Sequence, residues 1–107
     1  MAGWKRIVAE CEGYPVLIQA FVEDTEMLKK GMIYLGYKGA IEENTPFVLR
    51  TNGRIDYGSG WEDERFAETT VYATPMRVGE AFLITEYDDE TEEWQKNEYE
   101  ITKIDGV

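Results

Sequence analysis

The sequence predicts a mainly β fold: a small antiparallel barrel or strongly bent sheet of six to eight strands, with one or two short helices. An α+β arrangement is the alternative. Three observations carry this. Short runs rich in Val, Ile, Tyr, Phe and Thr recur along the 107 residues, separated by breaks containing Gly, Asn or Pro. Several of these runs alternate with a period of two. Glycines also interrupt the strand pattern where a sheet must bend to close on itself.

Residues 6–11 (Arg-Ile-Val-Ala-Glu-Cys) and 15–22 (Pro-Val-Leu-Ile-Gln-Ala-Phe-Val) flank Glu12-Gly13 and read as a hairpin. Val16, Ile18, Ala20 and Val22 share one face of the second strand. Leu17 and Phe21 make its other face apolar too, which places that strand centrally, with cover on both sides. Residues 23–31 carry Asp24 and Thr25 as caps, two lysines and then Gly31, the pattern of one short helix or of a solvated loop. Residues 32–41 read as a strand with Ile33, Leu35 and Tyr37 on one face. Gly36 and Gly39 mark a bulge, a bend or a close approach of another backbone.

Asn52-Gly53 between residues 47–51 and 54–57 favours a type I′ hairpin turn, because both central residues of that turn need positive φ. Phe47 and Leu49 share a face, as do Ile55 and Tyr57. Residues 58–65 form a loop, in which Ser59 and Glu62 have the spacing of a capping box. Strands are expected over residues 67–74, 78–87 and 98–104, with residues 88–96 as an acid-rich connection carrying Trp94.

The length fits one domain over residues 1–107. Aromatic residues (seven Tyr, four Phe, three Trp) are spread along the chain, which disfavours disorder. The single cysteine, Cys11, excludes an internal disulfide and lies in an apolar strand pattern, where an inert thiol is expected. The first residues lack the apolar run of a signal peptide, and no run approaches the ~20 residues of a membrane span. A cytoplasmic location is the expectation.

The chemistry is bounded by what is missing. With no histidine and one cysteine there is no imidazole base, no Ser-His or Cys-His couple, and no Cys/His zinc site. Gly58-Ser59-Gly60 lacks the spacing and lysine of a phosphate loop. Carboxylate-only catalysis needs two acids in unlike environments. Asp56 and Glu80 interrupt apolar strands, but ordinary alternation reads both as outward-facing. Residues 88–93 are rich in oxygen ligands yet lack the ligand order and central glycine of a calcium loop. No catalytic residue, metal or cofactor is therefore assigned, and the expectation is a protein that is not an enzyme.

Charge is the strongest functional signal. The chain has 22 acids against 11 bases, a net charge of -11. Residues 1–41 are neutral, with five acids and five bases, whereas residues 86–107 carry nine acids and two bases. Acids two apart on a strand share a face, about 7 Å apart. Such rows complement a basic groove and steer its approach over a Debye length of about 8 Å. The expected interaction face is Glu86, Tyr87, Asp88, Asp89, Glu90, Glu92, Glu93, Trp94, Glu98 and Glu100, with the aromatics as anchors.

The expected partner is a basic protein surface, in the sharpest form the cleft of a nucleic-acid-binding protein, which the chain inhibits or decoys. Direct binding to nucleic acid or to an anionic membrane is disfavoured by charge. The chain is expected to be a monomer or a homodimer. The competing expectation is a small-molecule-binding barrel with a pocket lined by Tyr34, Tyr37, Tyr57, Trp61, Phe66 and Tyr72.

Overall fold

The computed structural model describes residues 2–39, 44–57, 67–88 and 90–107. It is a closed, eight-stranded antiparallel barrel in which each strand pairs with the next and β8 returns to β1. The strands are β1 (Gly3–Cys11), β2 (Tyr14–Val22), β3 (Tyr34–Lys38), β4 (Thr45–Leu49), β5 (Arg54–Asp56), β6 (Ala67–Thr69), β7 (Ala81–Asp88) and β8 (Glu93–Gly106). No described helix is long and apolar enough to cross a membrane.

Period-two alternation fills the barrel. Val16, Ile18, Ala20 and Val22 all point inward from β2 into one core with Ile7 and Ala9 of β1, Phe82 and Ile84 of β7, and Tyr99 and Ile101 of β8. Among the described residues no second layer covers the outer face of β2. Leu17 and Phe21 are only partly buried there, because closure gives every strand two neighbours but one wet face. The edge of the Trp4 ring lies against Phe21 with centroids 5.9 Å apart.

Gly36 is the close approach its position suggested. It faces inward from β3, and a Cβ there would stand 2.5 Å from the Leu17 carbonyl oxygen and 2.6 Å from Phe47 Cζ. The Phe47 ring thus occupies the space a side chain would need. Its neighbours Leu35 and Tyr37 point outward into solvent.

The expected hairpin at Glu12-Gly13 forms, and the turn at Asn52-Gly53 differs in type. Glu12 (φ 51°) and Gly13 (φ 81°) form a two-residue connection with both φ values positive, the type I′ signature. The Asn52-Gly53 turn is not of that type. Only Gly53 has positive φ (85°) there; its N–H donates to the Arg50 carbonyl, giving a type I turn followed by a left-handed glycine.

The helix over residues 23–31 is absent. Glu26 adopts a left-handed φ of 70°, and Leu28 is drawn into the core beside a bridge to Val22. Burial of one leucine prevails over helix caps in a segment too short to propagate. The helical element among the described residues is a 3-10 turn, Val71–Ala73, which cuts short the strand expected over 67–74. Likewise β7 starts at Ala81, after a bulge at Gly79 (φ 98°) and Glu80 opposite Ile101. The Ser59/Glu62 capping box lies outside the described residues.

Candidate functional site

The expected connection over residues 88–96 is mostly strand. β8 begins at Glu93, and β7 and β8 stay in register from Ala81↔Glu100 to Asp88↔Glu93. Other pairing stops earlier: β1 leaves β8 at Glu10↔Glu100, and β6 leaves β7 at Glu68↔Thr85. Among the described residues, the far part of β7–β8 is therefore a two-stranded ribbon beyond the barrel wall.

Alternation divides the expected interaction face. Glu86, Asp88 and Glu93 continue the inward face of Phe82, Ile84 and Tyr99. Tyr87, Trp94, Glu98 and Glu100 lie on the outward face. Glu90 and Glu92 are in the turn, where Glu92 has φ 57° and the Glu90 N–H donates to Asp88 Oδ1 at 2.8 Å. Asp89 lies outside the described residues. Asp88 also accepts from Gln95 Nε2 at 3.0 Å, which braces the ribbon across its strands. Among the described residues no three acids or thiols gather as a metal site requires.

Glu86 is set apart from the other acids. Its Oε1 accepts the Tyr57 hydroxyl at 2.6 Å and pairs with Lys38 Nζ. The side chains of Lys38 and Glu86 are only 14% and 22% exposed, so this pair sits in the end of the barrel rather than on a binding surface. Lys38 also stands 5.7 Å from the centroid of the Tyr57 ring, and Phe47 packs edge-on to that ring. Burial, with the Glu86 carboxylate next, raises the ionisation of Tyr57 far above the ordinary tyrosine range; the same two causes raise Tyr99. The charge count in the sequence could not show this pairing, because Lys38 is 48 residues from Glu86.

Tyr87 and Trp94 oppose one another directly, with ring centroids 5.5 Å apart and planes at 69°. Leu83 turns its N–H and C=O toward Thr70, while Ile101 turns its own toward Gly79 and Glu80. By alternation, Tyr87 and Trp94 occupy a non-hydrogen-bonded pair, where side chains stand closest. Trp94 remains 51% exposed.

The residues of the expected pocket are scattered. Tyr34 is buried at one end of the barrel, 6.5 Å from Tyr72, and donates to the Lys29 carbonyl at 2.7 Å. Tyr57 is at the opposite end, and Tyr37 points outward. Trp61 and Phe66 lie outside the described residues. Tyr72 borders a surface recess with Leu28, Lys29 and Lys30. Asp56 pairs with Arg50 and with Arg54 Nε at 3.0 Å, which occupies the carboxylate that interrupted a strand. Glu80 is the second residue of the β7 bulge, and its carbonyl accepts the Ile101 N–H. Cys11 is half-buried against the core.

Neither a scan against protein-family models nor searches of curated proteins and of solved structures finds a match for this chain.

Proposed function

We propose that the chain is a non-enzymatic acidic interaction module that engages a basic protein surface through the β7–β8 ribbon. The observation that supports this most is the ribbon itself: it leaves the barrel wall carrying Asp88, Glu90, Glu92 and Glu93, with Trp94 half exposed among them and Glu98 at its base. Carboxylates on a projecting ribbon keep their field in solvent, where it steers a cationic partner. The Tyr87–Trp94 pair offers apolar area of the kind that anchors an interface once charge has brought the partner close. The sharper form is a decoy, in which rows of carboxylates occupy the basic cleft of a nucleic-acid-binding protein.

The test is titration with poly-lysine at low and high salt. Wild-type protein binds, and binding weakens as salt screens the ribbon. A variant with Asp88, Asp89, Glu90, Glu92 and Glu93 changed to Ser or Gln binds more than tenfold more weakly. Equal binding by that variant contradicts the reading.

A further inference from the structure

The ribbon has an open backbone edge as well as a charge. Ile101 directs its N–H and C=O to the β7 side, to Glu80 and Gly79. Backbone direction alternates along a strand, so Tyr99, Asn97, Gln95 and Glu93 also face β7, and Glu98, Lys96 and Trp94 face away from it. The register on β7 agrees independently. Leu83, opposite Glu98, gives its backbone groups to Thr70 rather than to β8. The side of β8 that faces away from β7 is covered by β1 only as far as Glu100.

Residues 93–98 therefore present a strand edge of about 20 Å, at about 3.3 Å per residue, that no described strand occupies. All are exposed except the half-buried Asn97. An unpaired edge is a template for one more strand. A two-stranded ribbon outside a sheet is also only marginally stable, and a third strand corrects that.

Resting on the reading of the ribbon as the binding element, we propose that the partner is bound as an extended basic segment added antiparallel to the β8 edge at residues 93–98. Charge selects this occupant over a second copy of the chain. Each copy carries a net charge of -11, so two ribbons brought edge to edge repel one another. A strand with lysine or arginine at alternate positions instead sets them against Glu98 on the outward side or Glu93 on the inward side, as favourable cross-strand pairs. Trp94 supplies an outward apolar contact for an aliphatic residue of that segment. Backbone hydrogen bonds hold the segment, and the alternating side chains set which segments fit.

The test uses a ten-residue peptide of alternating Lys and Val, and the same peptide N-methylated on alternate backbone amides, which keeps the charge but removes strand-pairing donors. A Lys96→Pro variant is the second arm. The Lys96 N–H faces away from β7, so proline there spares the β7–β8 ladder while blocking the edge, and it removes a positive charge.

Strand addition predicts at least a tenfold loss of affinity for the methylated peptide on wild-type protein. It predicts a similar loss for the unmethylated peptide on Lys96→Pro. On wild-type protein the bound unmethylated peptide brings new hydrogen-exchange protection at Trp94, Lys96 and Glu98. Equal affinity for the two peptides, with Lys96→Pro binding as well or better, overturns strand addition while leaving the charge reading standing. No binding of either peptide to wild-type protein at low salt overturns both. The methylated-peptide arm uses unaltered protein, so it decides even if Lys96→Pro misfolds.

Discussion

The Tyr57 hydroxyl donates to Glu86 Oε1 at 2.6 Å across the end of the barrel, and the same carboxylate pairs with Lys38. This contact marks where the barrel stops and the ribbon starts. Before it, the inward residues of β7 are Phe82 and Ile84; after it comes Asp88, braced within the ribbon by Gln95. One acid of the acidic segment thus joins β3, β7 and the residue that follows β5, while Glu90, Glu92, Glu93, Glu98 and Glu100 are exposed.

Replacing Glu86 should cost stability rather than binding. Glu86→Ala leaves Lys38 largely buried without its carboxylate and Tyr57 without its acceptor. Breaking a fully buried pair costs about 3–5 kcal/mol. The residual exposure of both groups brings the expectation down to about 2 kcal/mol. Urea denaturation measures it, and a loss below about 0.5 kcal/mol would show that the pair is idle.

Alkaline pH should open the barrel. Burial raises the ionisation of Tyr34, Tyr57 and Tyr99, and that of Tyr72 to about 12. Unfolded tyrosines ionise near pH 10. The unfolded chain therefore loses protons first, and the stability these four contribute is full below about pH 10 and falls as pH rises beyond it, by up to about 1.4 kcal/mol per pH unit for each tyrosine still protonated in the folded state. Absorbance at 295 nm should show a delayed fraction that ionises together with unfolding. Complete ionisation of all seven tyrosines near pH 10 with the fold intact would contradict this.

Gly36 should not tolerate a methyl group. Gly36→Ala places Cβ against the Leu17 carbonyl and the Phe47 ring, and overpacking of that kind costs about 1–3 kcal/mol. Gly3→Ala, with nothing within 4 Å of the new atom, is the control and should stay within about 0.5 kcal/mol. Similar melting temperatures for the two variants would remove the steric account of β3.

Much of the barrel is legible from alternation. The buried set Val16, Ile18, Ala20 and Val22 follows from the sequence, as do Phe47 with Leu49 and the strand over 98–104. What alternation does not decide is which face of β3 is inside. Hydropathy favours Ile33, Leu35 and Tyr37, yet Tyr34 and Gly36 face the core, because Phe47 needs the room at Gly36. The sequence over 23–31 allows a short helix or a loop, and the loop prevails because Leu28 gains more from burial than a short helix gains from its caps. The acids of residues 86–100 were legible as a group, but their split was not. It depends on the register of β7 against β8 and on a lysine from β3.

On the proposed reading, location rather than total charge makes the ribbon the binding element. Two variants of equal net charge test it most directly against poly-lysine at low salt. One carries Asp88→Asn, Glu90→Gln, Glu92→Gln and Glu93→Gln. The other carries Glu23→Gln, Asp24→Asn, Glu26→Gln and Asp105→Asn, at the end of the barrel away from the ribbon. The account predicts at least a tenfold loss of affinity for the ribbon variant and less than a twofold change for the other. Equal losses in the two would contradict it.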